Sequence, residues 1–268
     1  MSLPRKKEIP LTSFNVPILE FDPDRNAILN PRTYGMDSPL PGIGVMCFFQ
    51  DVIRKLDKQK KLVKIGVILC ELGKIPVFQC TFKKRKLFVV HAGLGAPFSA
   101  GILEELIARG ARQVVVAGGC GVLQKKIAVG HLIILNSAVR DEGTSYHYLT
   151  PNREVKPTLS VTRAVERVVQ KHKYPYLLGK TWTTDGYFRE TLQKREIRIK
   201  EGCVVVEMEA AALFAVAKFR GIGIGQILYG GDVVVPEGWD HRDWVKRKDI
   251  REKLFWLAVE AACEKLEF

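Results

Sequence analysis

Residues 204–232 organise the chain and run Val204-Val-Val-Glu-Met-Glu-Ala-Ala-Ala-Leu-Phe-Ala-Val-Ala-Lys-Phe-Arg-Gly-Ile-Gly-Ile-Gly-Gln-Ile-Leu-Tyr-Gly-Gly-Asp232. The valines at its start predict a buried strand. Residues 207–220 are rich in alanine, with apolar residues at three- and four-residue spacing, and predict a helix packed against that strand. Gly221 suits the end of this helix, and residues 222–229 predict a second buried strand. A strand, a helix and a strand therefore follow one another as one unit.

Acidic residues stand at both strand ends of this unit. Glu207 and Glu209 follow the first strand, and Asp232 lies just past the predicted end of the second. In open parallel sheets the ends of the strands carry the chemistry. A carboxylate beside so much apolar sequence therefore marks a candidate functional site. For Glu207, an exposed position near the helix N-terminus, which the helix dipole favours, is a sufficient interpretation. For Glu209, the same exposed position is the alternative to a functional role.

The composition predicts one domain in the cytoplasm. A chain of 268 residues with 47% hydrophobic content falls in the size range of one large α/β domain. We expect that domain to cover residues 1–268, with residues 1–17 as a tail. No apolar run reaches the length needed to cross a bilayer, and the N-terminus lacks the apolar segment of a secretion signal. We therefore expect a cytoplasmic protein without a membrane partner.

Charge and cysteine content narrow the class of partner. The formal net charge of +13 is compatible with binding nucleic acid, binding an anionic substrate, or solubility alone. The basic runs are dispersed and lack interleaved aromatic residues that would stack on bases, so we expect no nucleic-acid partner. The six cysteines form no Cys-x-x-Cys pair and are predicted to be small buried hydrophobic residues in a reducing compartment. We expect no metal.

The rest of the chain alternates between strand and helix patterns. Residues 18–21 predict a first strand, residues 31–44 a loop, and residues 46–61 a surface helix. Further strands are predicted at 64–70, 75–82, 86–91, 113–117, 130–136 and 177–183, and further helices at 158–171 and 250–266.

The run Val206-Glu207-Met208-Glu209-Ala210-Ala211, with the hydrophobic strand and Gly-Asp232 after it, resembles a family signature. The signature that it resembles belongs to the nucleoside phosphorylase and nucleosidase family, which includes purine nucleoside phosphorylase, uridine phosphorylase and methylthioadenosine nucleosidase. The resemblance covers residues 63–266. It implies a single-domain, three-layer α/β/α fold with a central mixed, largely parallel twisted sheet flanked by helices. It also implies a homo-oligomer, a dimer or a hexamer.

Cleavage of a nucleoside's N-glycosidic bond sets three chemical needs. Positive charge builds on the ribose and negative charge on the departing base, so a catalyst needs an acid at the base, an anchor for the sugar hydroxyls and a nucleophile. The resemblance implies that Asp232 is the acid, which could protonate purine N7 if its apolar strand raises its pKa. The same resemblance implies that Glu209 binds the ribose hydroxyls and that Met208 packs on the sugar. The alternative for Asp232 is an ordinary Gly-Asp turn.

Residues 184–190 follow the strand predicted at 177–183 and carry aromatic side chains. In the family this segment lies against the base, which implies that Tyr187 or Phe188 stacks on it and that Arg189 donates to a pyrimidine carbonyl. The alternative is an aromatic residue folded into the core beside a surface arginine. Asp232 favours a purine, whereas residues 140–148 and Arg189 resemble the uridine branch. The sequence therefore leaves the base open, with a slight preference for a purine.

Glycine-rich turns supply the candidate phosphate site. Gly93 and Gly95 join a strand to a helix, where backbone amides can bind an anion, and a tight structural turn is the alternative. The resemblance adds two further positions. These are the loop containing Gly118 and Gly119, and Arg25, which follows Asp22-Pro23-Asp24 and is otherwise a solvated surface arginine. Phosphorylases place an arginine in the strand and a Ser or Thr in the loop, where this chain has Val116 and Gly119.

Three hypotheses follow for the function. The first is an enzyme that cleaves a purine nucleoside or uridine with phosphate to give the free base and ribose 1-phosphate. It needs no cofactor, and inorganic phosphate is the co-substrate. The second is a hydrolytic nucleosidase that uses water, because Val116 and Gly119 depart from the phosphorylase pattern. The third is a nucleoside or nucleic-acid binding protein without turnover, suggested by the charge of +13.

Overall fold

The computed structural model describes residues 15–31 and 39–264, which contain eleven β-strands and six α-helices. The strands are β1 Ile43–Cys47, β2 Val63–Cys70, β3 Gly73–Phe82, β4 Arg85–His91, β5 Gln113–Val122, β6 Leu132–Asp141, β7 Glu154–Val155, β8 Tyr176–Thr184, β9 Cys203–Glu207, β10 Gly223–Val235 and β11 Gly238–Asp240. The helices are α1 Gln50–Lys58, α2 Ala96–Ala108, α3 Leu159–Lys171, α4 Leu192–Lys200, α5 Ala210–Arg220 and α6 Lys248–Ala262. None of these helices is long and apolar enough to span a membrane.

The strands form one mixed sheet that partly closes on itself. Its order is β11-β10-β6-β8-β9-β5-β1-β4-β3-β2, with β7 paired to β6 and an additional pairing between β10 and β5. Because of that pairing, β5, β9, β8, β6 and β10 close into a ring, and β1, β4, β3 and β2 extend from it. The ring brings the ends of three strands together, since Gly121 pairs with Val206 and Val122 pairs with both Val205 and Val233.

Helices cover both faces of the sheet, which confirms the predicted three-layer α/β/α fold. Alternate residues of β5 point to opposite layers: Val114 and Val116 pack with α2 and α5, whereas Val115 and Ala117 pack with α1, α3 and α6. A central strand buried on both faces is expected to be apolar at successive positions. This explains the unbroken run of valines in β5.

The central unit follows the prediction with two corrections at its boundaries. Helix α5 begins at Ala210 instead of residue 207, and it ends at Arg220, where Gly221 caps it in the left-handed conformation with φ of 76°. Strand β10 runs on to Val235, so Asp232 lies inside the strand and not beyond its end. The strand is extended because β11 pairs with its last residues.

Other predictions at the N-terminal side were wrong. The strand predicted at residues 18–21 is replaced by a short 3-10 helix at Pro17–Leu19. The helix predicted from residue 46 starts at Gln50, because Ile43–Cys47 is a strand held between β4 and β5 by parallel pairing. Residues 1–14 of the predicted tail, residues 32–38 of the predicted loop and residues 265–266 of the last predicted helix lie outside the described residues.

The glycine loop predicted after residue 117 is also a strand. Gly118 and Gly119 continue β5 and pair with Leu228 and Tyr229 of β10. Pairing with a neighbouring strand keeps this backbone extended, so it does not form the turn that the family resemblance implied.

Candidate active site

Glu209 and Asp232 line the same cavity, which has a volume of about 560 Å³. It lies where β1, β4, β5 and β9 end and along β10, and the ring of strands is what brings these segments together. Five of the residues predicted for the site line the cavity: Met208, Glu209, Asp232, Gly93 and Gly119. The lining residues that sequence analysis did not assign to the site include His91, Glu190, Gln226, Tyr229, Trp244 and Arg251.

Glu209 is a buried carboxyl held at the start of α5. It is 5% exposed, and its Oε1 accepts a hydrogen bond of 2.6 Å from the backbone N–H of Gly95. Burial, reinforced by the nearby charge of Glu207, raises the pKa of Glu209 to about 8. The Glu209 carboxyl therefore holds its proton to higher pH than an exposed carboxyl does.

Glu207 is fixed by the protein itself. Its Oε2 accepts hydrogen bonds of 2.7 Å from the backbone N–H groups of Glu209 and Ala210, which caps the N-terminus of α5. Its Oε1 accepts from the hydroxyls of Thr183 at 2.6 Å and Thr181 at 3.2 Å. Burial raises the pKa of Glu207, and these four hydrogen bonds oppose that rise. Glu207 is buried, which corrects the exposed position expected from the sequence.

Asp232 is partly exposed, and its position depends on two neighbours. Its Oδ2 accepts a hydrogen bond of 2.6 Å from the indole Nε1 of Trp239 on β11. A side chain on Gly121 would crowd it, because a Cβ there would lie 3.4 Å from Asp232 Oδ2 and 3.0 Å from Val206 Cγ1. The absence of a side chain at Gly121 therefore leaves room for the Asp232 carboxyl at the junction of β5, β9 and β10.

Glu190 adds a carboxyl that sequence analysis did not assign to the site. It lines the cavity directly after the turn at Tyr187–Arg189. Burial, and then the charge of Asp232, raises the pKa of Glu190 to about 7. The signal in the sequence was its place beside the aromatic pair, but sequence spacing does not show which residue of a turn faces inward.

The basic groups at the cavity are few and already engaged. His91 Nδ1 accepts a hydrogen bond of 3.1 Å from Gly93 N–H, and burial lowers the pKa of His91. Arg251 donates from Nη2 to Asp51 Oδ1 at 2.6 Å. Among the described residues the wall thus carries four carboxyl groups, from Glu190, Glu207, Glu209 and Asp232, and one guanidinium.

The predicted base-binding residues lie away from the cavity. Tyr187 and Phe188 are 54% and 87% exposed, and their rings contact each other with centroids 4.3 Å apart. Arg189 is exposed as well. The short 3-10 helix formed by these residues turns their side chains outward, so none of the three lines the cavity.

The predicted phosphate residues are only partly brought together. Gly95 donates its amide to Glu209, and Gly118 packs against Phe48, where a Cβ would lie 2.8 Å from Phe48 Cδ2. Arg25 is exposed and does not line the cavity, and its guanidinium lies 6.0 Å from the centre of the Phe219 ring. In the part of the chain that the structure describes, no group of His, Cys, Asp and Glu is arranged to hold a metal ion.

Sequence comparison finds relatives across most of the chain. The family model of the phosphorylase superfamily matches residues 43–261. Purine nucleoside phosphorylase of Plasmodium vivax is 28% identical over 193 residues, which cover 71% of this chain and 78% of that protein. Uridine phosphorylase of Thermococcus kodakarensis is 32% identical over 157 residues, or 54% of this chain and 57% of that protein.

Solved structures share the fold. Purine nucleoside phosphorylase from Toxoplasma gondii, solved with immucillin-H, superposes with a TM-score of 0.71 at 18% identity and covers 84% of this chain and 91% of its own. AMP nucleosidase from Bacteroides thetaiotaomicron superposes with a TM-score of 0.67 at 22% identity, covering 83% and 87%. With the family model matched over residues 43–261, the chain belongs to the phosphorylase superfamily.

Proposed function

We propose that this protein is an enzyme that cleaves the N-glycosidic bond of a nucleoside. The first candidate acceptor is phosphate, giving the free base and ribose 1-phosphate, because the sequence relatives are nucleoside phosphorylases. The observation that carries the proposal is that Glu209 and Asp232 line one cavity. Its volume of about 560 Å³ lies in the usual range for small-molecule sites.

The cavity residues divide into a sugar side and a base side. Glu209 accepts hydrogen bonds from the ribose hydroxyls, and Met208 packs on the sugar. Asp232 gives a proton to the base as the C1′–N bond breaks and its electron pair passes to the base nitrogen. The acceptor oxygen forms the new bond to C1′. A proton on the base offsets the negative charge that develops in the transition state, which is where catalytic stabilisation counts.

A purine nucleoside is the preferred substrate in this proposal. An acid at Asp232 suits protonation of purine N7, and Glu190 adds a second carboxyl on the cavity wall. The predicted pyrimidine ligand Arg189 is exposed instead of lining the cavity. Relatives include guanosine and purine nucleoside phosphorylases as well as uridine phosphorylases, so uridine remains the comparison substrate.

Hydrolysis is the second candidate, because the backbone amides predicted to bind phosphate donate to protein groups. Four carboxyl groups and one guanidinium paired with Asp51 form a wall that repels a phosphate dianion to the extent that the carboxyls are ionised. The amides of Gly93 and Gly95, predicted to bind phosphate, donate to His91 and Glu209 instead. Water carries no charge and meets no such repulsion.

One assay separates these candidates. The protein is incubated with inosine, guanosine, adenosine and uridine, with and without phosphate, and the released base is measured by chromatography. Release that requires phosphate supports phosphorolysis, and release undiminished without phosphate supports hydrolysis. No release from any nucleoside, together with salt-sensitive binding to DNA or RNA, would favour the binding protein without turnover.

The oligomeric state and the cellular location are also proposals. The resemblance supports a homo-oligomer, a dimer or a hexamer, and a cytoplasmic location. Sedimentation equilibrium tests the first, since a monomer at micromolar concentration would contradict it. Fractionation of cells that express the protein tests the second.

A further inference from the structure

Gln226 is a buried polar side chain on the wall of the cavity. It is 1% exposed, and both of its amide atoms, Oε1 and Nε2, have no hydrogen-bond partner within the described residues. It lies on β10, where its neighbours on the same face, Ile224 and Leu228, belong to the apolar layer under α2 and α5. Its register partner on β5 is Val116, which is fully buried.

A side-chain amide in such surroundings destabilises the fold unless it makes hydrogen bonds. A buried polar group without a hydrogen-bond partner loses the hydrogen bonds that it makes to water in the unfolded chain. Gln113 shows the usual arrangement, because it is also buried but donates from Nε2 to the carbonyl of Ala262 at 3.3 Å. Gln226 differs from Gln113 in facing the cavity, so a molecule in the cavity can supply the missing hydrogen bonds.

The position of Gln226 along β10 indicates which part of the reactants it meets. It precedes Asp232 by six residues, or up to about 20 Å of strand. In a displacement at C1′ the acceptor approaches from the side opposite the departing base. With the base at Asp232, the acceptor lies toward the Gln226 end of the cavity.

We infer that the carboxamide of Gln226 binds the oxygen acceptor of the glycosyl group. Its NH2 donates to oxygens of phosphate, and its carbonyl accepts from a hydroxyl of phosphate or from water. The amide is uncharged and takes no proton during the reaction. If water attacks, the proton that leaves its oxygen balances the one that Asp232 gives to the base. This inference rests on the proposed function and adds the residue that positions the acceptor.

Gln226→Leu tests the inference, with Gln113→Leu as the matched control. For a phosphate acceptor we expect the KM for inorganic phosphate to rise about tenfold, the effect of one uncharged hydrogen bond, while the KM for the nucleoside stays unchanged. For water we expect kcat to fall about tenfold with the same nucleoside KM. Gln113→Leu should leave these constants unchanged and lower Tm. Gln226→Leu should not lower Tm, because the Gln226 amide has no partner to lose among residues 15–31 and 39–264.

A second variant tells the two acceptors apart. Gln226→Glu places a carboxylate at the acceptor. The rate of phosphorolysis should therefore fall below that of Gln226→Leu, whereas the rate of hydrolysis should exceed that of Gln226→Leu. If the wild type releases base and both Gln226 variants match its kinetic constants, the inference is overturned and the proposed function stands. If the wild type releases no base from any of the four nucleosides, both are overturned.

Discussion

Glu207 and Glu209 stand two positions apart in one short run, yet the fold gives their carboxyl groups different surroundings. Glu207 accepts four hydrogen bonds from protein groups and is fully engaged in holding the start of α5. Glu209 accepts from the N–H of Gly95 and retains acceptor capacity for a ligand. We therefore propose that Glu209 binds the ligand and that Glu207 has a structural role.

The pH dependence of substrate binding should report the ionisation of Glu209. Below a pKa of about 8 the carboxyl is protonated and is a weaker acceptor for ribose hydroxyls, and above it the carboxylate binds them more strongly. We expect the KM for the nucleoside to fall several-fold between pH 6.5 and pH 8.5. Glu209→Gln should abolish this dependence, whereas the exposed control Glu196→Gln should retain it. A flat wild-type profile would contradict the assignment.

The same carboxyl should make stability fall with rising pH. The pKa of Glu209 is raised from 4.5 to about 8 in the folded protein, so the folded state holds a proton that the unfolded chain releases in this range. This contribution to the free energy of unfolding is fully present below pH 4.5 and is lost as the pH rises through about 8. Glu209→Gln has no such proton, so its Tm relative to the wild type should improve from pH 5 to pH 8.5. Calorimetry that finds the same Tm difference at both pH values would argue against a buried neutral Glu209.

Asp232→Asn tests the proton donor. The amide keeps an oxygen for the Trp239 indole but has no acidic proton, so we expect kcat to fall by about 10²–10⁴ with little change in nucleoside KM. The exposed control Asp240→Asn should keep wild-type kcat. If Asp232→Asn retains kcat within a factor of about two, the donor is another group, and Glu190 is then the next to replace.

Among the elements, the start of α5 is held to strands β9 and β8 by hydrogen bonds beside the site. The N–H groups of Glu209 and Ala210 donate to Glu207, and that of Ala211 donates to the hydroxyl of Thr183. The helix therefore cannot begin elsewhere without losing buried hydrogen bonds. This arrangement fixes the backbone from which the Glu209 side chain extends into the cavity.

Glu207→Ala should destabilise the fold more than an ordinary helix cap does. It leaves two backbone N–H groups and two threonine hydroxyls without their acceptor, so we expect the free energy of unfolding to fall by about 3 kcal/mol. Urea unfolding measures this, with Glu196→Ala on the surface of α4 as the control. A loss no larger than the control's would show that Glu207 does not cap α5.

The central strand–helix–strand unit was predictable because its signals are local. The apolar run of β9, the alanine-rich repeat of α5 and the stop at Gly221 depend on neighbouring residues in the chain. Which residue of the turn at Tyr187–Arg189 faces inward depends on tertiary packing, so the sequence pointed to Tyr187 and Phe188 where the structure places Glu190. The length of β5 likewise depends on its partner β10.

For the whole molecule, closure of the ring is what turns distant segments into one cavity. The antiparallel pairing of Gly121 with Val206 joins β5 to β9, and Val122 also pairs with Val233 of β10. These pairings join residues far apart in the chain, and no periodicity in the sequence encodes them. The family resemblance predicted that Glu209 and Asp232 share a site, and the ring of strands explains why both line one cavity.

Gly121→Ala should disturb the ring junction and the site together. The new Cβ would lie 3.0 Å from Val206 and 3.4 Å from Asp232 Oδ2, so these neighbours must shift. We expect a loss of about 1–2 kcal/mol in the free energy of unfolding and a fall in kcat of about tenfold or more. Gly101→Ala on α2 is the control, since a Cβ there meets nothing within 4 Å and alanine favours the helix. Equal effects of the two substitutions would contradict this role for Gly121.

A crystal structure of the protein with a bound purine nucleoside and sulfate would show whether Glu209 and Asp232 bind the same nucleoside. We expect the ribose hydroxyls within hydrogen-bond distance of the Glu209 carboxyl and the imidazole edge of the base within reach of Asp232, both in the same cavity. A nucleoside bound elsewhere, or bound here with its sugar away from Glu209, would contradict it.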